Sequence, residues 1–221
     1  MVEKKISLFV CAVGVPPKDM VDKLHAAGII VMKWVHSPNF MHEGTVSHSV
    51  VSMIGHPKVT SDQPSQCLHQ TIVVACEEGT GSGSAPLRPM PATYSIKCYI
   101  GVDMICAQGG EGGGHTGDTP FSVLIPAVVD LCRDAKSPLT GEPIIVIAAG
   151  GIADGRGLAA ALSYGASGVW VGTRFVASEE SAAPPMHKQL ILSAGYGDMV
   201  KTLVYSGRPL HVRKTEYVRD W

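Results

Sequence analysis

Short apolar runs alternate with amphipathic segments near the start of the chain. The runs Ile6–Val13 and Ile29–Met32 are rich in β-branched residues and too short for helices, so they predict buried strands. Between them, Pro16 and Pro17 open an amphipathic segment that Gly28 closes. Proline in the first turn and glycine just past the last are typical of a helix. This pattern predicts a β–α–β unit with parallel strands.

The same order of elements returns after residue 100. Further apolar runs predict strands at Val102–Ala107, Ile144–Ala149 and Gly168–Val171. Segments that begin with proline or aspartate predict helices at Pro120–Leu131, Asp154–Tyr164 and Pro184–Ala194. Strands that alternate with helices favour an α/β fold of the (β/α)8-barrel type. Five of the eight strands are found in 221 residues, whereas a complete barrel takes about 250. We therefore predict one domain, 1–221, that is a partial (β/α)8 barrel, incomplete at its N-terminus.

Residues 33–99 interrupt this pattern. They contain the run Gly79–Ser84 and show neither a helical nor a strand period, so they predict a long irregular insertion. This segment also contains scattered histidines, but no two of them have the spacing that, with a carboxylate, would form a metal site. We therefore expect no metal site from His36, His42, His48, His56 and His69.

Two glycine turns follow predicted strands in order. Gly150 and Gly151 end one strand and lead into a helix, and Gly172 and Thr173 follow the next strand. Glycines let the backbone approach a ligand, and such turns expose N–H groups. In barrels of this type, the loops after the last two strands form the common phosphate site. We predict phosphate binding here, against the alternative of two ordinary tight turns.

A glycine-rich loop, Gly109–Gly117, directly follows the strand that ends near Gln108. Barrel enzymes keep their catalytic groups at this position. A neutral imidazole at His115 is suited to take a proton from weakly acidic carbon, and Gln108 offers both a donor and an acceptor. Glu111 is expected to be a solvated carboxylate rather than a base. The alternative is a flexible linker with an incidental histidine.

The composition of the chain argues against some partners and indicates a cellular compartment. The net charge of −1 and 17% charged residues give no strong field toward nucleic acid or an anionic membrane. No apolar run approaches the ~20 residues of a membrane span, and no signal peptide is expected. Cys11, Cys106 and Cys132 lie within apolar runs, which predicts buried free thiols and a reduced, cytoplasmic compartment.

Three motifs together resemble the nitronate monooxygenases, a family once called 2-nitropropane dioxygenases. The segment Val102–Gly117 resembles the signature loop of that family, and Ala149–Ile152 and Gly172–Phe175 follow in the family's order. Residues Lys4–Met32 and Gly101–Trp221 are similar to the family almost throughout.

The resemblance implies a TIM barrel that holds FMN without a covalent bond. It implies that Gln108 and Gly109 lie near the isoalloxazine and that the phosphate lies on amides near Gly150, Gly151, Gly172 and Thr173. His115 would be the base that removes the α-proton of a nitroalkane. The nitronate would pass an electron to FMN, and molecular oxygen would complete its oxidation to a carbonyl compound and nitrite.

The chain also departs from the family's pattern. From the resemblance, we expect that the family's first three strands are missing before Met1, and the turn Gly55–Lys58 comes late. We hypothesise that Lys33 to about Ser52 and Val59 to about Tyr99 are translated introns or a comparable gene-model error, which transcript sequencing would test.

Two other functions remain open at this stage. One is another FMN barrel oxidoreductase, such as an enoyl reductase, which would need a nicotinamide site. The other is a non-catalytic barrel remnant. A barrel that lacks strands exposes sheet edges, so a homo-oligomer completed by a second copy is also expected.

Overall fold

Five parallel strands form the centre of the fold. The structure is a computed structural model that describes residues 6–12, 16–35, 51–53, 72–75 and 101–220. The parallel strands lie in chain order within one sheet: β1 Leu8–Cys11, β2 Ile30–Val35, β5 Met104–Gln108, β7 Ile145–Ala149 and β8 Gly168–Val171. The five predicted strands and their parallel direction are confirmed.

Short antiparallel strands border this sheet on both sides. β3 Val51–Met53 pairs with β1, and β4 Ile72–Ala75 pairs with β8. The described strands therefore form an open seven-stranded sheet rather than a closed barrel. Both outer parallel strands carry a partner, although the sequence predicted bare edges. The rest of the predicted insertion lies outside the described residues, and its wider bounds stay a prediction.

Helices follow the parallel strands. They are α1 Lys18–Ala26, α2 Phe121–Cys132, α3 Gly155–Ser163, the single turn α4 Thr173–Val176, α5 Pro185–Leu192 and α6 Glu216–Arg219. Pro17 and Pro120 occupy the N-cap positions of α1 and α2, as predicted. Among the described residues, no helix is long and apolar enough to cross a bilayer.

The sheet separates two apolar layers. One layer packs against the helices through Leu24 of α1, Leu124 and Val128 of α2 and Ala161 of α3. The opposite layer contains alternate strand residues, among them Val10, Met32, Cys106, Ile147 and Trp170. Burial on both faces explains why these strands read as nearly continuous apolar runs.

The sheet curls toward this second layer. Trp34 of β2 and Trp170 of β8 are separated by two intervening strands. In a flat sheet, strands that far apart would lie about 14 Å from each other. The two indole rings nevertheless meet edge to face, with centroids 5.1 Å apart. The layer is therefore the concave side of a curved sheet, as a barrel wall requires.

Two strand boundaries differ from the predictions. Lys33 interrupts an apolar run, so the sequence ended β2 at Met32, yet the strand continues to Val35 and pairs with β1 and β5. Burial lowers the pKa of the Lys33 ammonium group. β5 begins at Met104 rather than at the predicted Val102.

Asp103 joins four segments at the end of the sheet where the parallel strands begin. It is buried, and one carboxylate oxygen accepts from the Val31 backbone N–H at 2.7 Å and lies 2.9 Å from Nε2 of His25. The other oxygen accepts from the Ser137 hydroxyl at 2.6 Å and from the Leu139 N–H at 3.4 Å. This carboxylate therefore ties α1, β2 and β5 to the segment before β7.

A second, antiparallel sheet was missed by the sequence analysis. It has the order β6 Gly114–His115, β10 Leu210–Arg213 and β9 Met199–Thr202. In the sequence, Arg208–Arg219 alternates basic with apolar residues, a pattern that predicts a surface segment. β9 and β10 form a hairpin that pairs with the glycine-rich loop, with Leu210 opposite His115 and His211 opposite Gly114.

Candidate functional site

The predicted site residues lie after three neighbouring strands. The glycine-rich loop follows β5, Gly150 and Gly151 follow β7, and Gly172 and Thr173 follow β8. Since β5, β7 and β8 are parallel neighbours, their carboxyl ends lie along one edge of the sheet. This is the edge at which open and closed α/β sheets bind ligands.

Gly150 packs directly against the start of the glycine-rich loop. Its φ of +87° lies in the left-handed region. A Cβ atom at this position would lie 2.6 Å from the Gly109 carbonyl oxygen and 3.0 Å from the Gly109 nitrogen. The Gly109 N–H donates to the Ala149 carbonyl at 2.8 Å. The absence of a side chain at Gly150 therefore lets the two loops touch through their backbones.

The third turn joins the same cluster. A Cβ atom on Gly113 would lie 2.7 Å from Oγ1 of Thr173, so the tip of the loop reaches the turn after β8. Arg174 donates from Nη1 to the Ala153 carbonyl at 2.9 Å, which links this turn to the one after β7. The structure thus brings all three predicted motifs together.

The two glycine turns place consecutive backbone amides at the carboxyl ends of β7 and β8. Among the described residues, the loop and turn hydrogen bonds use none of the N–H groups of Gly150, Gly151, Gly172 and Thr173. The Thr173 hydroxyl lies beside them. Consecutive amides in a turn, together with a hydroxyl donor, suit a phosphate group.

Gln108 lies beneath the loop rather than in the open. Its side chain is buried, and Oε1 accepts from the Trp34 indole N–H at 2.8 Å. Its Nε2 donates to the His115 carbonyl at 2.8 Å. A Cβ atom on Gly112 would clash with the same Nε2. Gln108 therefore connects the concave face of the sheet to the loop, with one N–H and one acceptor position left for a ligand.

His115 is exposed and is held through both its backbone and its ring. Its backbone belongs to β6, and its Nε2 lies 2.8 Å from the Ser206 hydroxyl in the turn between β9 and β10. Further contacts fix the loop to the hairpin. The Lys201 ammonium donates to the Gly117 carbonyl at 2.7 Å, and Nδ1 of His211 lies 3.1 Å from the Gly112 carbonyl oxygen.

Three charged residues near the site have local structural partners. The Glu111 carboxylate accepts from the Phe121 N–H at 2.9 Å and caps α2. Arg156 pairs with Asp154, whose pKa is lowered by the hydrogen bond from the guanidinium group. Arg156 and Arg174 are thus engaged with protein groups, and we assign neither to phosphate.

Sequence reasoning missed Trp34, Ser206 and His211. Trp34 falls inside the segment that was treated as an insertion. Ser206 and His211 belong to a hairpin with no Asn-Gly or Asp-Gly turn signal, and their partners lie 91 and 99 positions away. Nothing in the local pattern could have linked them to the loop.

We predict that Gly150→Ala destabilises the fold at the contact between the turn after β7 and the glycine-rich loop. A left-handed backbone and a clash with Gly109 should together lower the free energy of unfolding by about 2–4 kcal/mol. Chemical denaturation followed by circular dichroism would measure this loss. Gly155→Ala is the matched control, because Gly155 begins α3 with a negative φ and open space around its Cβ position. Equal unfolding midpoints for the two variants would contradict the packing described here.

Comparison with known proteins identifies a family for this chain. The sequence profile of the nitronate monooxygenase family matches residues 90–221, more than half of the chain. A nitronate monooxygenase of Neurospora crassa is 40% identical over 102 residues, and an octahydro-indene carboxyl-CoA dehydrogenase of Mycobacterium tuberculosis is 48% identical over 118 residues. The solved structure of FabK from Thermotoga maritima superposes with a TM-score of 0.63 at 28% identity.

The chain spans only part of these proteins. The alignments cover 45% and 53% of this chain but only 26% and 31% of the Neurospora and Mycobacterium proteins, respectively. The superposition covers 99% of this chain and 50% of FabK.

Proposed function

This chain belongs to the nitronate monooxygenase family, and from that premise we propose that it binds FMN and oxidises alkyl nitronates or nitroalkanes with molecular oxygen. The observation that carries the proposal is the meeting of three loops at the carboxyl edge of the sheet. The glycine-rich loop touches the turn after β7 at Gly150 and the turn after β8 at Thr173. One ligand could therefore contact a phosphate-binding turn and the proposed base at once.

The residues present fit the phosphate end of FMN. We propose that the amides of Gly150, Gly151, Gly172 and Thr173 hold the phosphate and that Gln108 and Gly109 lie beside the flavin ring. The ring, when bound, supplies an electron acceptor for the substrate. The half-buried Trp34 indole beside Gln108, with the buried Trp170 indole packed against it, shields one side of this region from water.

His115 would prepare the substrate. We propose that its imidazole takes the α-proton of a nitroalkane, which leaves the nitronate anion. An exposed histidine at the rim of the site is suited to general-base catalysis. The hairpin holds the ring in place, and proximity of a positioned base contributes to the rate.

FMN titration of the purified chain tests the cofactor proposal. Trp34 donates to Gln108 at 2.8 Å, and Trp170 contacts Trp34. Flavins absorb at the wavelengths where tryptophan emits, so we predict that FMN quenches most of the tryptophan emission in a saturable manner. Unchanged emission with excess FMN would argue against a flavin at this edge.

A charge variant makes this titration specific. Gly151→Asp places a carboxylate among the amides proposed for the phosphate and should abolish saturable quenching through charge repulsion. Gly151→Asn is the control, because it introduces the same left-handed strain and the same contact with Glu111 without the charge. Loss of quenching in both variants would point to strain in the turn rather than to the charge.

Oxygen consumption with an alkyl nitronate, together with nitrite formation, tests the reaction. We expect both only in protein that binds FMN. A chain that binds FMN without consuming oxygen would support the non-catalytic alternative instead.

A second candidate is a flavin-dependent dehydrogenase that acts on a CoA thioester. The identity of 48% to the Mycobacterium dehydrogenase favours it, since the Neurospora nitronate monooxygenase is 40% identical. The enoyl reductase alternative also stays open. Bleaching of bound flavin by NADPH would favour the reductase, bleaching by an acyl-CoA without oxygen would favour the dehydrogenase, and bleaching by a nitronate would favour the monooxygenase.

Location and assembly also remain proposals. Cys11, Cys106 and Cys132 are buried, as predicted, and none of the three belongs to a disulfide among the described residues, which fits the proposal of a cytoplasmic protein. We propose a homo-oligomer, which sedimentation of the purified chain would test.

A further inference from the structure

We propose that Ser206 is a positioning residue for His115, and that it fixes the ring so that Nδ1 is the nitrogen that takes the substrate proton. The proposal deepens the proposed function and rests on it, since it assigns a partner and an atom to the proposed base. It starts from the distance of 2.8 Å between Nε2 of His115 and the Ser206 hydroxyl oxygen.

Backbone hydrogen bonds hold both sides of this contact. His115 pairs with Leu210 in the small sheet, so the loop and the hairpin hold the backbone on the histidine side. The turn that carries Ser206 is closed by a hydrogen bond of 2.8 Å from the Gly207 N–H to the Leu203 carbonyl. Thr116, next to His115, donates from its backbone N–H to the Pro209 carbonyl at 3.2 Å. Both partners of the contact are therefore held by the same small sheet.

The direction of this hydrogen bond sets which ring nitrogen keeps a lone pair, because a hydroxyl can either accept or donate. A neutral imidazole has one N–H donor and one lone pair. If Nε2 carries the hydrogen and donates it to the serine oxygen, Nδ1 keeps a lone pair that can accept a proton. After proton transfer both ring nitrogens carry hydrogen, and the donation from Nε2 to Ser206 persists. The ring thus changes its protonation state without losing its anchor.

Long-range ¹H–¹⁵N spectra of histidine-labelled chain test the assignment without any need for activity. The His115 signals are identified by their loss in His115→Ala. We expect the Nε2–H tautomer of His115 in the native chain. A dominant Nδ1–H tautomer would overturn the proposal, because Ser206 would then be the donor and Nδ1 would hold no lone pair.

Ring order provides a second measurement. In Ser206→Ala we expect the order parameter of the His115 ring to fall from about 0.8 to below about 0.6, the range of flexible groups. Ser206→Thr should restore it, since the hydroxyl is kept. Ser163→Ala is the matched control: its hydroxyl donates to the Ala159 carbonyl within α3, away from the loop. An unchanged ring in Ser206→Ala would overturn the proposal.

Steady-state kinetics link the contact to the reaction. With a neutral nitroalkane, Ser206→Ala should lower kcat about five- to tenfold, the effect of one hydrogen bond, with little change in KM. Ser206→Thr should recover most of the rate. If the native chain oxidises no nitronate but the ring loosens in Ser206→Ala, the proposed function fails while the positioning contact stands. If the native chain is active and Ser206→Ala matches it in ring order and kcat, the positioning role fails alone.

Discussion

His115→Ala should lower kcat for a neutral nitroalkane by about 10²–10⁴-fold, the usual contribution of a positioned general base. The same variant should oxidise the corresponding nitronate, deprotonated beforehand, at a rate close to that of the native chain. This difference is expected because His115 is proposed to remove the α-proton and has no other role in the oxidation. Parallel oxygen-uptake assays with the two forms of one substrate measure it.

Flavin binding separates the chemical role of His115 from a structural one. The groups proposed to hold FMN are backbone amides at Gly150, Gly151, Gly172 and Thr173, so His115→Ala should bind FMN as the native chain does. His187→Ala is the control, since His187 is exposed on α5. Equal losses with nitroalkane and nitronate would assign His115 to the oxidation step or to the structure, and would contradict its role as a base.

Asp103→Ala should lower the free energy of unfolding by about 3–5 kcal/mol, because several buried donors lose their common acceptor at a cost of about 1–3 kcal/mol each. The carboxylate is 4% exposed and is the common acceptor for His25, Val31 and Ser137. Without it, the Val31 N–H and the Ser137 hydroxyl are left in the interior without this acceptor. Urea denaturation followed by circular dichroism measures the change.

Asp22→Ala is the matched control for this variant. Asp22 pairs with Lys18 on the exposed face of α1, with both side chains more than half exposed. Surface pairs of this kind contribute about 0.3–0.5 kcal/mol, and alanine is a better helix former than aspartate. We expect an unfolding midpoint near that of the native chain. A similar loss in both variants would mean that Asp103 does not connect the segments described here.

Much of the fold could be predicted from the sequence because its signals are local. Asp154 accepts from the Arg156 N–H and begins α3, and Gly165, at a φ of +92°, follows the end of that helix. Proline before α1 and α2 acts in the same local way. The five parallel strands were predictable for a related reason, since strands buried on both faces must be nearly continuous in apolar residues.

The antiparallel hairpin and the ends of the strands could not be predicted in this way. β2 continues through Lys33 because β1 and β5 offer backbone partners on both sides, which outweighs the cost of a charged residue in the run. β9 and β10 are stabilised through pairing with a loop about 95 positions earlier. Such pairing depends on tertiary contacts rather than on local preference.

In the candidate site, too, some features could be predicted from the sequence and others depend on tertiary contacts. The sequence by itself predicted which residues would carry the chemistry, because the glycine turns follow strands in order and the histidine lies in a glycine-rich loop directly after another strand. Only the tertiary structure decided how they meet: Gly150 against Gly109, Gln108 beneath the loop, and His115 beside Ser206, 91 positions away. Such contacts join segments that are distant along the chain, and only the folded sheet fixes the distances between them.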